Sequence, residues 1–306
     1  MSGRAMTVLT HRSPADTATA LQRLMRAAAQ AGMTLRLDAE ETRKHRLTPA
    51  AGLELHAQAS DRVELCLVLG GDGTILKALQ LYAGTEVPVF AVNFGEIGFL
   101  ATVEPEELDE GLARAFAGDF ELLHLPAIVL DPGAGEPARA RIASPELAGG
   151  EAVCAALGGC PAINDVAIHR KVGERVAEIA YALQGETVGS VRCDGLVIST
   201  PAGSTGYNLA NGGPVMAWGV EGCVVSFIAP HSLTARALVV APNDRLTIDN
   251  RSDQPLDVAI DGRPAGELAP GATIDVRFEH SVGTIAQLAG TSFYRRLREK
   301  FGRLAR

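Results

Sequence analysis

The sequence lacks the features that mark secreted, membrane-spanning and zinc-binding proteins. It contains only five cysteines, an odd number with no C-x-x-C pair, so neither a zinc site nor a disulfide framework is predicted. No run of about 18 apolar residues occurs, and a transmembrane helix is therefore not predicted. Polar residues interrupt the apolar positions near the N-terminus, unlike in a signal peptide. These absences favour a cytoplasmic protein with no membrane partner.

A surplus of basic residues is also missing. Lys and Arg number 28 against 36 Asp and Glu, which gives a formal net charge of −8. This balance argues against a nucleic-acid partner, because such proteins present a broad basic surface. It is compatible with a local positive pocket for a phosphorylated ligand, since the shape of a cleft sets the local field.

Strand and helix patterns alternate along the first part of the chain. They predict an α/β domain with a parallel sheet over residues 1–120. The apolar run VELCLVL at 63–69 is typical of a strand buried on both faces of such a sheet. Further strands are predicted at 6–9, 34–37 and 88–93, and helices after Ser13, at 75–82 and at 105–116.

Residues 121–280 predict a β-rich, sandwich-like domain instead, because short strand patterns follow one another with turn signals between them. Residues 131–160, rich in Gly, Ala and Pro without a clear period, are predicted to form a loop. The strands are predicted at 121–130, 163–169, 176–183, 196–199, 223–228, 238–240, 245–248, 256–260 and 273–278.

Residues 281–306 are predicted to pack back on the N-terminal domain. Their last part, SFYRRLREKFGRLAR, has the pattern of a basic amphipathic helix. We expect Phe293, Leu297 and Phe301 to dock while the arginines stay in solvent. A membrane-surface or nucleic-acid role for this helix is the alternative.

The first chemical motif is Gly70-Gly71-Asp72-Gly73-Thr74, between a buried strand and a helix. Glycines permit a tight turn, and the N–H groups of the turn and helix start favour phosphate. The motif is neither a Rossmann fingerprint nor a Walker A loop. Asp72 is therefore a candidate functional carboxylate, with a helix-capping role as the alternative.

Two other polar segments are candidates for ligand binding. Asn164-Asp165 interrupts an apolar strand pattern and offers groups that bind vicinal hydroxyls, unless it only begins a solvent-facing strand. Residues 194–214, DGLVISTPAGSTGYNLANGGP, combine hydroxyls, glycines and the aromatic Tyr207. This composition suits a polar ligand with rings, and a long loop without apolar period usually serves function rather than structure alone.

Together these segments resemble the NAD kinase family, whose first motif also occurs in lipid-kinase and phosphofructokinase groups. The resemblance covers roughly residues 63–278. It rests on G-G-D-G-T at 70–74, an N-E-like pair at 164–165, D-G-x-x-x-S-T-P-x-G-S-T-x-Y at 194–207 and G-G-P at 212–214. It implies transfer of the γ-phosphoryl group of ATP to the 2′-hydroxyl of the adenosine ribose of NAD, with Asp72 as the catalytic base.

The resemblance also implies how the substrates are held. A divalent cation, Mg²⁺, would bridge the triphosphate without a metal site made of protein groups alone, and a homodimer or homotetramer is implied. Asp194 would hydrogen-bond NAD, and Tyr207 would lie beside the adenine. The other implied contacts to NAD, its phosphates or the added phosphate are Gly71, Gly73, Lys77, Asn164, Asp165, Arg175, Arg192, Thr205, Gly206, Asn208, Leu209 and Ala210.

Four departures from the family pattern leave substrate preference open. Asp165 stands for Glu, Asn208 and Ala210 stand for serines, Arg263 stands for the Gln of D-G-Q, and Phe94-Gly95-Glu96 stands for a basic stretch. ATP is the expected donor and polyphosphate the alternative, and NADH is an alternative acceptor. The competing functions are a lipid or sugar kinase, a non-catalytic NADP(H) sensor and an NAD-dependent oxidoreductase.

Overall fold

The computed structural model describes residues 4–131, 141–142 and 150–302, and its contacts form two compact units. Unit 1 lies within Met1–His124 and Gly283–Arg306, and unit 2 within Leu125–Val282. No helix of the described ranges is both long and apolar enough to cross a membrane.

The first elements of the chain alternate between strands and helices. They are β1 (Ala5–Thr10), α1 (Pro14–Gln30), β2 (Thr34–Leu37), α2 (Ala39–Lys44), β3 (Leu53–Leu55), β4 (Leu65–Gly70), α3 (Asp72–Leu81), β5 (Val89–Asn93), a 3₁₀ turn (Pro105–Glu107) and α4 (Leu108–Ala117).

Strands dominate the rest of the chain. They are β6 (Glu121–Asp131), β7 (Arg141–Ile142), β8 (Cys160–Ala162), β9 (Asp165–Arg170), β10 (Ala177–Leu183), β11 (Glu186–Cys193), β12 (Gly195–Ser199), β13 (Cys223–Ile228), β14 (Leu238–Val240), β15 (Leu246–Asn250), β16 (Leu256–Ile260), β17 (Arg263–Leu268) and β18 (Thr273–Gln287). The helical segments are α5 (Gly150–Leu157), a 3₁₀ turn (Gly203–Thr205), α6 (Tyr207–Ala210) and α7 (Phe293–Phe301).

The sheet of unit 1 is parallel, in the order β5-β4-β1-β2-β3, with the end of β18 beside β5. Every residue of β4 is buried, which confirms the prediction of a strand covered on both faces, and every residue of β5 is buried as well. The chain runs from β1 to β3 on one side and continues with β4 on the other, so the topology reverses between β1 and β4. Ligands of open α/β sheets bind outside the carboxyl ends of the strands at such a point, and the G-G-D-G-T motif follows β4.

Unit 2 consists of antiparallel sheets around one apolar core, as predicted for a sandwich-like domain. One sheet has the order β14-β13-β12-β9-β16-β17-β7. The other contains β11, β10, β15 and the first part of β18, joined by β6 and β8. Side chains from both sheets, such as Ile168, Ile179, Val225 and Ile248, are fully buried together.

Several sequence-based predictions are wrong in detail. Residues 150–157 form α5 rather than loop, although 132–140 and 143–149 lie outside the described residues. The strand predicted at 163–169 begins only at Asp165, after a bend. Helix α3 begins at Asp72 rather than residue 75, since Gly71 provides the extended N-cap. Five strands had no counterpart in the prediction, namely β3, β7, β8, β11 and β17.

Helix α7 packs on unit 1, but one of its arginines is not in solvent as predicted. Phe293 is buried and Phe301 lies against Phe99 with ring centroids 5.6 Å apart. Arg296 is only 7% exposed, and its Nη1 donates a hydrogen bond to the carbonyl of Phe99 at 2.9 Å. The reason is its position three residues after Phe293, which places it on the buried face of the helix.

Candidate functional site

The G-G-D-G-T loop, which joins β4 to α3, lies close to the backbone of the segment that follows β5. The Cα of Gly95 lies so near Gly71 that a Cβ added at Gly71 would meet it at 3.0 Å. A hydrogen bond from the Phe94 N–H to the Gly70 carbonyl, 3.1 Å long, holds the same two segments together. Directly after Gly71 the chain enters the N-terminus of α3, where backbone N–H groups and the helix dipole favour an anionic ligand.

Asp72 is the first residue of α3, and backbone N–H groups fix its carboxylate. The N–H of Phe99 donates to Oδ2 at 3.1 Å and that of Leu100 donates to Oδ1 at 3.0 Å. A carboxylate oxygen can accept two hydrogen bonds, so both oxygens keep a lone pair for a further donor. The side chain is half-buried and lies just beyond the carboxyl end of β4. This arrangement suits a carboxylate that takes a proton from a bound hydroxyl.

Lys77 lies one turn further along α3. Its Nζ forms a 2.7 Å ion pair with the exposed carboxylate of Glu40 at the start of α2. Both side chains remain partly in solvent, so the pair contributes little to stability and can open. Its predicted role with the dinucleotide phosphates stays a prediction.

Asn164 and Asp165 lie at a bend in unit 2 that the carboxylate of Asp261 organises. Asp261 accepts the backbone N–H groups of Ile163, Asn164 and Asp165 at 3.0, 2.7 and 3.0 Å. Its own N–H donates to the carbonyl of Asp165 at 2.9 Å. The Oδ1 of Asn164 is buried and has no hydrogen-bond partner among the described residues. A buried acceptor without a protein partner marks a place where a ligand or water donor is needed.

The carboxyl group of Asp165 has an unusual titration. It is only 7% exposed. Burial, followed by the nearby charge of Asp261, raises its pKa to about 7. The group therefore changes charge near neutral pH, where it can act as a donor or an acceptor toward a hydroxyl.

We expect Asp165→Asn to remove a pH dependence of stability. Unfolded Asp titrates near pH 4, whereas the folded group has a pKa of about 7, so the folded state holds more protons in between. The free energy of unfolding of the nucleotide-free protein should therefore fall with rising pH across that window, by up to about 1.4 kcal/mol per unit, and level off above it. Urea denaturation between pH 4.5 and 8.5 measures this slope.

The matched control for this experiment is Asp253→Asn, which removes an exposed carboxylate of the same unit. It should keep the slope of the wild type. A slope in Asp165→Asn equal to that of the wild type would contradict the assigned titration.

The segment that follows β12 holds the Asn164 bend from the other side. The Thr200 hydroxyl donates to the Ile163 carbonyl at 2.6 Å, and the Thr200 N–H donates to the Asn164 carbonyl at 2.9 Å. A Cβ at Gly203 would lie 2.1 Å from the Asn164 carbonyl oxygen. Glycine is thus required at position 203, because there the segment 194–214 touches the backbone of the Asn164-Asp165 motif.

Gly203→Ala should raise the KM for the predicted dinucleotide ligand at least about 10-fold, because the new methyl group must push the Asn164 backbone out of place. Overpacking of this kind also costs about 1–3 kcal/mol of stability. The control is Gly219→Ala, since a Cβ at Gly219 meets no atom within 4 Å. Steady-state kinetics and thermal unfolding of both variants test this, and an unchanged KM in Gly203→Ala would refute the packing argument.

The predicted long loop contains two short helical turns rather than irregular chain throughout. Asn208 is fully buried, and its Nδ2 donates to the carbonyls of Ser204 and Pro214 at 3.0 and 2.9 Å. Tyr207 in contrast is 42% exposed. Its ring is a surface on which a planar ligand group could stack. Of the other candidates here, Thr205 and Leu209 are half-buried, and Gly206 and Ala210 are exposed.

Tyr207 and Asp194 line the same open cavity of about 320 Å³ in unit 2. Arg170, at the end of β9, also lines it and forms a 2.6 Å ion pair with Asp194. This hydrogen bond is the main cause of the lowered pKa of Asp194. Two other predicted basic contacts, Arg175 and Arg192, are exposed, and the structure links neither of them to this cavity.

Sequence reasoning missed Arg170 and the structural role of Asp261. Arg170 follows an apolar strand, and only the pairing of β9 with β12, which sets His169 opposite Gly195, brings it to Asp194. The turn at Asp261-Gly262 was predictable from the sequence. Both residues have positive φ, at 47° and 73°, and Asp-Gly between two strand patterns is typical of a two-residue hairpin turn.

Comparison with known proteins identifies the family of this site. The model of the ATP-NAD kinase N-terminal domain matches residues 7–120, and that of the ATP-NAD kinase C-terminal domain matches residues 163–284. The chain belongs to the NAD kinase family. An NAD kinase of Gemmatimonas aurantiaca is 33% identical over 246 residues, which cover 78% of each chain.

Two solved kinase structures share the fold. A yeast NADH kinase complexed with NADH has a TM-score of 0.79 at 21% identity, covering 98% of this chain and 87% of that one. An Archaeoglobus fulgidus NAD kinase in complex with ATP has a TM-score of 0.70 at 22% identity, covering 99% and 98%.

Membership of the NAD kinase family confirms the predicted enzyme class, a phosphotransferase. It also disfavours the lipid-kinase and oxidoreductase alternatives. Within the ranges that the structure describes, no three His, Cys, Asp or Glu side chains are grouped so that they could hold a metal ion.

Proposed function

We propose that this enzyme transfers the γ-phosphoryl group of ATP to the 2′-hydroxyl of the adenosine ribose of NAD, with Asp72 as the general base that accepts the hydroxyl proton. The observation that carries the proposal is the position of Asp72 at the carboxyl end of β4, in the family's glycine-rich motif. The carboxylate is oriented before substrate binds, since two backbone N–H groups hold it. Such preorganisation is what a positioned base requires.

NAD binding is assigned to polar groups of the three motifs. The unpaired Oδ1 of Asn164 and the carboxyl of Asp165 suit the hydroxyls of the nicotinamide-side ribose. Asp194 and Tyr207, which share a cavity, suit hydrogen bonding and stacking with the dinucleotide. The remaining contacts are proposed as in the family, through Gly71, Gly73, Lys77, Arg175, Arg192, Thr205, Gly206, Asn208, Leu209 and Ala210.

The phosphoryl donor is proposed to enter as its Mg²⁺ complex. Mg²⁺ keeps water and phosphate oxygens as ligands and needs few protein groups. When bound, the metal would supply charge neutralisation on the triphosphate, and the protein aligns the hydroxyl with the γ-phosphorus. A cytoplasmic location, assembly into a homodimer or homotetramer, and domain boundaries near residues 120 and 280 complete the proposal.

The experiment that tests this function is product analysis by chromatography after incubation with Mg²⁺ and NAD. The proposal expects NADP to accumulate with ATP in an amount equal to the ADP formed. Parallel incubations with polyphosphate and with NADH define the donor and acceptor. If NADP binds but none forms from any donor, the enzyme assignment is overturned in favour of an NADP(H) sensor.

A further inference from the structure

The C-terminal helix α7 contacts the segment that holds Asp72. The key residue of that segment is Phe99, whose N–H donates to the Asp72 carboxylate at 3.1 Å. The carbonyl of the same Phe99 accepts the guanidinium Nη1 of Arg296 at 2.9 Å. A single peptide segment thus connects a buried arginine of the last helix to the candidate base.

Other contacts of α7 fix the same segment. The ring of Phe301 lies against that of Phe99, with centroids 5.6 Å apart. Lys300 forms a 2.8 Å ion pair with Glu104, and Glu104 also accepts the Nδ2 of Asn93 at 3.0 Å. The segment between Asn93 and Glu104 is therefore held at Phe99 and at its end.

The burial of the Arg296 guanidinium carries an unfavourable free energy of desolvation, which an apolar residue would avoid. A buried cation is unfavourable unless charged and polar groups surround it. Burial lowers the pKa of Arg296 to about 10, while the charges of Asp72, Glu104 and Glu299 act in the opposite direction. Asp72 is thus one of the anions in whose field this arginine lies, and an apolar residue in its place would fill the same space without that cost.

We propose that Arg296 is a positioning residue for Asp72. Arg296 fixes the carbonyl of Phe99, which belongs to the same peptide group as the N–H of Leu100. It thereby orients the N–H groups of Phe99 and Leu100, which hold the carboxylate of Asp72 in place. This inference rests on the proposed role of Asp72 as base, and it assigns to the last helix of the chain a part in the reaction rather than in folding alone.

The test compares Arg296→Met with Arg296→Lys and with the control Arg295→Met. Arg295 is exposed, lies on the same helix and pairs with Glu299, so its loss removes a cation without touching Phe99. We expect kcat of Arg296→Met to fall about 10- to 100-fold, the range that a small misplacement of a catalytic group produces. The KM values for NAD and ATP should change less than about 3-fold, and Arg296→Lys should recover part of kcat because one N–H donor is enough for the carbonyl.

Two further measurements distinguish a loss of positioning from a general loss of structure. In the background of Asp72→Asn, the Arg296→Met change should lower the residual rate less than 2-fold, since residues that act as a unit are not additive. Amide hydrogen exchange of the peptide containing Phe99 and Leu100 should become faster in Arg296→Met and stay unchanged in Arg295→Met, at equal global stability.

The outcomes distinguish this proposal from the proposed function. Wild-type protein that forms no NADP overturns the function, whereas exchange at Phe99 and Leu100 tests the Arg296 contact without any turnover. Unchanged kcat and unchanged exchange in Arg296→Met, or an equal fold loss with and without Asp72, overturns the positioning role. If Arg296→Met does not fold, the same comparisons are made with Arg296→Gln, which stays polar but is two atoms shorter and therefore loses the bond to the Phe99 carbonyl. A kcat and an exchange rate equal to wild type in that variant contradict the proposal.

Discussion

Asp72→Asn is expected to lower the rate of NADP formation by about 10²–10⁴-fold, the contribution that general-base catalysis typically makes. The amide has the shape of the carboxylate but cannot accept the hydroxyl proton. NAD binding should change little, because the amide oxygen keeps one of the two backbone hydrogen bonds of Asp72 and the other polar contacts remain. Turnover under saturating NAD and ATP, with NAD affinity by calorimetry, separates chemistry from binding.

The control for this experiment is Asp109→Asn, which removes an exposed carboxylate of unit 1 paired with Arg23. It should retain wild-type turnover. Near-normal turnover in Asp72→Asn would show that another group takes the proton. A loss of NAD affinity that accounts for the whole rate defect would instead make Asp72 a binding residue.

Asp261→Ala should cause the largest loss of stability, about 3–5 kcal/mol. The change removes the acceptor of three backbone N–H groups at 163–165. Each buried donor left without a partner costs about 1–3 kcal/mol. Alanine also tolerates the φ of 47° at this position less well than Asp. Urea denaturation at pH 8 measures the effect, and NAD affinity should fall with it because Asn164 loses its anchor.

Asp261→Asn makes this prediction specific. Asn keeps one oxygen that accepts hydrogen bonds and tolerates positive φ, so the loss should be smaller than with alanine. Asp257→Ala, on the adjoining strand β16, removes only a 3.8 Å surface pair with Lys171 and should cost less than about 1 kcal/mol. Equal stability of Asp261→Ala and wild type would disprove the anchoring role.

Elements with a strong local signal were predictable from the sequence. Strands β13, β14 and β16 have the predicted bounds, and β4 is recognisable because a strand buried on both faces must be apolar throughout. Strand β11 was missed because its outward residues are polar and exposed. Strand β17 contains proline and glycine, which lower strand propensity although its hairpin partner β16 stabilises it.

The candidate site was predictable where one motif is contiguous in sequence, and not where partners are distant. Asp72 and Tyr207 lie in recognisable motifs. The pairing of Asp194 with Arg170, by contrast, depends on strand register, and the contact of Arg296 with Phe99 depends on the return of the chain to unit 1. Arg170 and Arg296 are therefore ordinary basic residues in the sequence, and only the fold gives them their contacts.

The measurement that tests the central claim most directly is the transfer of label from γ-³²P-ATP to NAD, followed by location of the label in the product. The account predicts labelled NADP whose phosphate is on the 2′-hydroxyl of the adenosine ribose, with wild-type protein and Asp109→Asn, and at least about 100-fold less with Asp72→Asn. Label found only in inorganic phosphate, or label transfer undiminished in Asp72→Asn, would contradict it.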